Sequence, residues 1–98
     1  MRIVERQLFV NFEWDDNKAR SNVEKHGISF EDAALALTQP HLEHQSIRGE
    51  EQRVLAICPA SRRIIAVIYT IRHQKCRIIS ARAARENEKR AYRLIFPR

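Results

Sequence analysis

Three groups of residues have the types and spacing from which chemistry could be built. Lys25 and His26 close a helical pattern just before Gly27. Cations there are favoured by the helix dipole and can cap carbonyls, which is one reading. The other is a pair for proton transfer or phosphate contact, since imidazole titrates near neutrality and the lysine ammonium is a point charge. Arg72, Arg77 and Arg82 form the second group. A separation of five puts Arg77 and Arg82 on opposite faces of an unbroken strand. Arg82 falls where the last strand gives way to a final helix, so a phosphate held there would also meet unpaired helix N–H groups. The alternative is a solvated junction arginine paired with Glu86 or Glu88. Arg53 and Tyr69 make the third group, on two preceding strands. Tyr69 reads either as a stacking surface or site residue, or as core.

If Arg53, Arg82 and His26 converge, the result is a donor-rich surface with hardly any carboxylate. One chemistry suits it well. In metal-free RNA cleavage the ribose 2′-OH attacks its own phosphate, and fixed arginines stabilise the charge gained by the phosphorane. A base takes the 2′ proton and an acid protonates the leaving 5′ oxygen. The sequence has no glycine-rich phosphate loop, HExxH, CxxC or GxSxG motif. His41 and His44 are three apart in a loop or short strand, a spacing that does not put them on one face. No metal site and no cofactor are expected. Cys58 and Cys76 read as fillers of neighbouring strands.

The elements that must position these groups follow from the pattern. Residues 8–14 alternate aromatic and β-branched side chains and predict a first strand. Asp15 or Asp16 caps a helix through Lys25, with Ala19, Val23 and His26 in an i, i+4, i+7 line facing partly inward and Trp14 packing back on it. Ser29 opens a helix over 30–37, with Phe30, Ala33, Ala34 and Leu37 on one face, and Pro40 ends it. Strands are expected at 42–47, 52–58, 62–71 and 75–81, with turns at Arg48–Glu50, Pro59–Ser61 and His73–Gln74. The tail from Ala83 or Ala84 to Ile95 predicts a helix with Ala84, Ala91, Leu94 and Ile95 inward. The fold class is α+β: two short N-terminal helices and a C-terminal helix packed on one face of a small antiparallel β-sheet.

Ninety-eight residues fit one domain, 1–98, and exclude a multidomain enzyme or a full-length nucleotide-cofactor fold. No apolar run spans a membrane, and no apolar segment with a cleavage site opens the chain, so a cytoplasmic protein is expected. The net charge of +6 is uneven. Residues 1–49 hold six basic and eight acidic side chains, and residues 50–98 hold twelve and four. The second half therefore favours a polyanionic partner.

The string Phe12-Glu13-Trp14-Asp15-x-x-Lys18-x-x-x-Asn22-x-x-Lys25-His26-Gly27-Ile28-Ser29-Phe30-Glu31-x-Ala33 closely resembles the start of the BrnT family of type II toxins. Gly49-Glu50-Glu51-x-Arg53, Val67-Ile68-Tyr69-Thr70 and Arg77-Ile78-Ile79-Ser80-Ala81-Arg82-x-Ala84 resemble the same family, as do Glu88 and Tyr92. The likeness covers residues 9–93, with 1–8 as an N-terminal extension. It implies a RelE-like fold, RNA cleavage that inhibits translation, and a BrnA-like ribbon-helix-helix antitoxin. In that family the complex represses its own operon, so operator DNA would be met mainly through the antitoxin. Ala83 stands where the family often has a second arginine, and Arg85 is the candidate to compensate.

The expectation is thus a metal-independent endoribonuclease toxin. Arg82 sits at the scissile phosphate, Arg53 or Arg72 assists, and His26 and Lys25 serve proton transfer or substrate contact. Glu88 orients an arginine, and Tyr69, Arg77 and Arg85 are further RNA contacts. The alternatives are a non-catalytic basic module that binds an acidic protein or nucleic acid and, more weakly, a DNA-binding regulator.

Overall fold

The computed structural model describes residues 1–5 and 11–97. Among the described residues nine elements follow in order: β1 (Arg2–Val4), β2 (Phe12–Glu13), α1 (Asp16–His26), α2 (Phe30–Leu37), β3 (His41–Arg48), β4 (Glu51–Ala60), β5 (Arg63–Arg72), β6 (Lys75–Ala83) and α3 (Glu86–Ile95). The six strands form one sheet in the order β1-β3-β4-β5-β6-β2. Every pairing is antiparallel except β2 with β6. Of the strand expected at 8–14, residues 8–10 lie outside the described residues and Phe12–Glu13 is present. Arg2–Val4, within the expected extension, is itself a strand paired with β3.

Local chemistry sets the helix ends. Asp15 caps α1 by accepting the Lys18 N–H at 3.0 Å. The chain leaves α1 through Gly27 at φ 67°, a left-handed conformation that needs glycine here, and the Gly27 N–H closes on Val23 O at 2.8 Å. Ser29 caps α2 through the Asp32 N–H. Ile28, Phe30, Ala33 and Leu37 are buried. Trp14 packs edge-on against Phe30 of α2, with ring centroids 6.0 Å apart.

The inward line of α1 differs from the expected one. Val23 is 48% exposed and His26 is exposed, while Ala19 is partly covered and Asn22 is buried. The Asn22 amide donates to Ile28 O at 2.9 Å and to Ala81 O at 2.8 Å, and its Oδ1 accepts the Ala81 N–H at 3.1 Å. One polar side chain thus pairs the backbone of β6 at Ala81 and ties α1 to the sheet. Asn22→Ala leaves these buried groups without partners and should cost roughly 2–4 kcal/mol, at about 1–3 kcal/mol per stranded group with some relaxation. Urea unfolding reads this directly, and a loss below about 1 kcal/mol, the worth of one ordinary hydrogen bond, would show that the clamp is not structural.

The strands extend past their expected ends. Pro59 and Ala60 belong to β4 rather than to a turn, and pair with Ile64 and Arg63. Leu42 pairs with Ile57, so β3 runs out before Pro59, and the missing proline N–H costs no ladder bond on that side. The β5–β6 loop, His73-Gln74, has positive φ at both residues (50° and 66°), the twist a two-residue hairpin favours. In β6 the register with β5 shifts: Ser80 pairs with Ile68 but Ile78 with Tyr69. This bulge absorbs one residue at Ile79. Arg77 and Arg82, expected on opposite faces, therefore lie on the same one.

The helices do not share one sheet face. Ile28, Phe30 and Leu37 join Ala56, Cys58, Ile65, Val67, Tyr69, Cys76, Ile78 and Ala81 in one core under α1 and α2. Leu42, Ile57 and Ala66 form a second core under Tyr92 of α3. Residues that pair across the strands alternate between these faces, so α3 covers the face that α1 and α2 leave open. Its inward residues are Glu88 and Tyr92, with Ala91 half-buried, whereas Leu94 is 82% exposed and Ile95 is also exposed. Cys58 and Cys76 are buried free thiols, and burial pushes the Cys76 thiol up to about 12. No helix among the described residues is long and apolar enough to cross a membrane.

Candidate active site

The register lays out the α3 face as rows. Leu42, Ile57, Ala66 and Arg82 cross β3 to β6 in one row, and His44, Leu55, Ile68 and Ser80 in the next. Beyond them Ser46 stands beside Arg53 and Thr70 beside Arg77, and then Arg48 beside Glu51 and Arg72 beside Lys75. Tyr92 covers the first row. The rows past it carry most of the polar side chains of this face.

A shallow cleft of about 160 Å³ opens there. Leu55 and Ile68 line it together with Ser46, Arg48, Arg53 and Arg82. Of three larger hollows, those of about 480 and 410 Å³ are lined by neither Arg53 nor Arg82, and one of about 370 Å³ is lined by Arg53, Arg72, Glu51 and Tyr69 but not by Arg82.

Arg82 is held by Glu88. Its Nη1 and Nη2 donate to the two carboxylate oxygens at 2.8 and 3.0 Å, a bidentate pair. Glu88 is 5% exposed at its side chain and Arg82 20%. Glu88 also accepts the Arg85 N–H at 2.8 Å, so one N–H at the start of α3 is already engaged. The Arg82 guanidinium, with the Arg85 N–H behind it, holds the Glu88 carboxyl below its ordinary value, and Glu88 raises Arg82 in return. The sequence makes the pair possible because Arg82 ends a strand and Glu88 lies one turn into the helix that folds back over the same face.

Arg53 and Arg72 share Glu51: Arg53 Nε donates to one oxygen at 2.9 Å and Arg72 Nη2 to the other at 3.2 Å. These two guanidiniums, Arg53 first, hold the Glu51 carboxyl below its usual value. Sequence reasoning missed Glu51 as a bridge, although its position two residues before Arg53 in a strand puts both on one face. Arg77 is engaged by Glu13 of β2 at 2.8 Å. Arg85 is exposed at the start of α3.

The structure thus gathers Arg53, Arg72, Arg77, Arg82 and Glu88 on one face, with Arg53 and Arg82 lining the same cleft. Lys25 and His26 are not brought there. They are exposed at the end of α1, which packs on the other face through Ala19 and Asn22. The expected convergence of His26 with Arg53 and Arg82 does not occur, because α1 and α3 lie on opposite sides of the sheet. Tyr69 is also on the α1–α2 face, 3% exposed, with its hydroxyl donating to Glu43 at 2.6 Å. It occupies the core position.

Tyr69 belongs to a buried polar cluster that the sequence did not disclose. Glu43 accepts from Arg2 at 2.8 Å, from His41 Nε2 at 2.9 Å and from Tyr69. His41 Nδ1 lies 2.7 Å from Gln39 O, so both ring nitrogens face acceptors. Burial opposes the charge on Glu43, but the His41, Tyr69 and Arg2 contacts outweigh it and hold the carboxyl down at about 2.

Residues 14–88, more than half of the chain, match the family model described as "Ribonuclease toxin, BrnT, of type II toxin-antitoxin system". Neither a curated protein nor a solved structure matches the chain.

Proposed function

Because the chain belongs to the BrnT family of ribonuclease toxins of type II toxin–antitoxin systems, we propose that it is an endoribonuclease whose active site is the Arg53–Arg82 cleft. The reading rests on one observation above all: Arg82 is locked by two hydrogen bonds to the buried Glu88 and lines a cleft with Arg53. A preorganised guanidinium stabilises the charge that develops on a phosphorane without reorganising during the reaction. The RNA supplies its own nucleophile, the 2′-OH, so the protein need only bind the phosphate, fix its geometry and move protons. Attack on the adjacent phosphorus expels the 5′ oxygen and leaves a 2′,3′-cyclic phosphate. This route needs no metal. Arg72 contributes through Glu51 by holding Arg53. Arg77 and Arg85 extend the positive surface along the substrate strand. Lys25 and His26 stand outside this site.

The family reading carries further proposals. The fold is of the RelE-like kind, the protein acts in the cytoplasm, and RNA cleavage stops translation. A BrnA-like ribbon-helix-helix antitoxin neutralises the chain, and the complex represses its own operon through the antitoxin's DNA contacts. The test is cleavage of RNA by the purified chain in the presence of a chelator, with end-group analysis of the products. Cyclic phosphate and 5′-hydroxyl ends are expected. RNA left intact, with and without ribosomes, would reduce the chain to a basic binding module.

A further inference from the structure

The cleft lacks an assigned proton acceptor once His26 is placed across the sheet. Glu51 and Glu88 are both bound by arginines and held below their usual values, which makes them weak bases. His44 is different. It lies on the α3 face, in the same row as Leu55 and Ile68, the apolar lining of the cleft. Its cross-strand partner is Leu55, so Arg53 is its diagonal neighbour on β4, about 7–8 Å away. His44 is exposed, and its ring has no hydrogen bond or ion pair among the described residues. His41 is buried on the opposite face and His73 sits in the β5–β6 turn, away from the row.

Resting on the ribonuclease reading above, we propose that His44 is the general base of the reaction. In this proposal an RNA phosphate rests on Arg53 and Arg82, with the 2′-OH of its 3′-linked ribose turned toward His44 on β3, beside the cleft lining. The 2′ O–H bond breaks, its proton passes to a ring nitrogen of His44, and the 2′ oxygen bonds to phosphorus. The P–O5′ bond breaks, the leaving oxygen takes a proton from water, and the hydroxide formed recovers the proton from His44. The nearest charged groups on its face are Arg53 on β4 and Arg48 and Glu51 from the next row but one, while Arg82 stands three strands away on β6. On its β1 side the register of Arg2 with Glu43 brings exposed Met1 and its amine opposite His44, while Arg2 and Glu43 belong to the other face.

The test compares wild type, His44→Ala, His44→Gln and Arg82→Ala on an RNA oligonucleotide that the wild type cuts at one mapped site. His44→Ala should lose about 10²–10⁴-fold in kcat, with KM little changed. The acid limb of the pH profile should flatten in both His44 variants, and free imidazole should restore part of the His44→Ala rate. Wild-type rates, an unchanged pH profile or no rescue by imidazole overturns the proposal. A 5′-bridging phosphorothioate substrate needs no acid for its leaving group. Full recovery of His44→Ala on it would make His44 the acid instead, which also overturns the assignment. If Arg82→Ala is inactive while His44→Ala is not, this proposal alone fails. If wild type itself leaves the RNA whole, the ribonuclease reading fails and takes this one with it.

Discussion

Arg82→Ala should reduce RNA cleavage by about 10²–10³-fold in kcat, the scale of removing one preorganised donor to a developing oxyanion. A guanidinium has five N–H donors. In Arg82 two of them go to Glu88, one on each Nη, and a third goes from Nη1 to Ala83 O at 3.2 Å. The Nε–H and the second Nη2–H remain, and they lie side by side on one edge of the plane. That edge is a complete fork for two phosphate oxygens, while the adjacent fork is fixed on a carboxylate. Lysine cannot serve both sides, so Arg82→Lys should recover little of the loss. Glu88→Gln keeps the shape but removes the charge that holds the fork in place. A smaller fall in kcat is expected, which marks Glu88 as a positioning residue. Steady-state kinetics on all three variants checks the order. An Arg82→Ala enzyme at the wild-type rate would sink the site, even if RNA cleavage itself stands.

The cleft was partly legible in the sequence. Arginines on successive strands and a Glu one turn into the last helix are local facts, and they placed Arg53, Arg82 and Glu88 together. Three features were not local. The bulge at Ile79 reverses the parity between Arg77 and Arg82, and nothing in Arg77–Arg82 announces it. The side of the sheet that each helix takes depends on long-range packing, so α1 and α3 read alike as amphipathic partners for one layer. The choice removes His26 from the arginines. Polar residues in the core were also hidden: Asn22, Glu43, His41 and Glu88 are buried because specific backbone or side-chain groups satisfy them. A pattern of apolar spacing counts such residues as surface. Capping was the reverse case. Asp15, Gly27 and Ser29 act within three or four residues of chain, and each does what its type and position imply.

Glu43→Ala should destabilise the fold by about 3–5 kcal/mol, the cost of leaving the rest of a buried ionic cluster without its partner. The carboxylate is 3% exposed and accepts from His41, Tyr69 and Arg2. Removing it takes the carboxylate from the Nε2 side of the buried His41 ring and one acceptor from the Tyr69 hydroxyl. Arg2 matters less, since its side chain is 68% exposed, and Arg2→Ala should cost no more than about 1 kcal/mol. For a domain of this size the Glu43→Ala loss would lower the unfolding midpoint by about 12 °C or more. The same cluster sets the acid limit. Glu43 is held at about 2 in the folded chain against an ordinary 4.5. A depressed folded value means its contribution is whole above the ordinary value and is lost as pH falls from there toward 2. Glu88, also depressed, adds to the same limb. Wild-type stability should therefore fall steeply below about pH 4.5, the ordinary value for this carboxyl. Glu43→Gln, less stable at pH 7, should fall more gently, with the residual slope due to the other depressed carboxylates, Glu88, Glu51, Glu13 and Asp15. Urea unfolding at pH 7 and pH 3 separates the cases, and parallel acid slopes in the two proteins would refute the assignment. Glu43 and Arg82 lie on opposite faces of one sheet, so a Glu43 variant assayed below its midpoint should still present the Arg53–Arg82 cleft and cut RNA. Stability and cleavage then report on different layers of the same molecule.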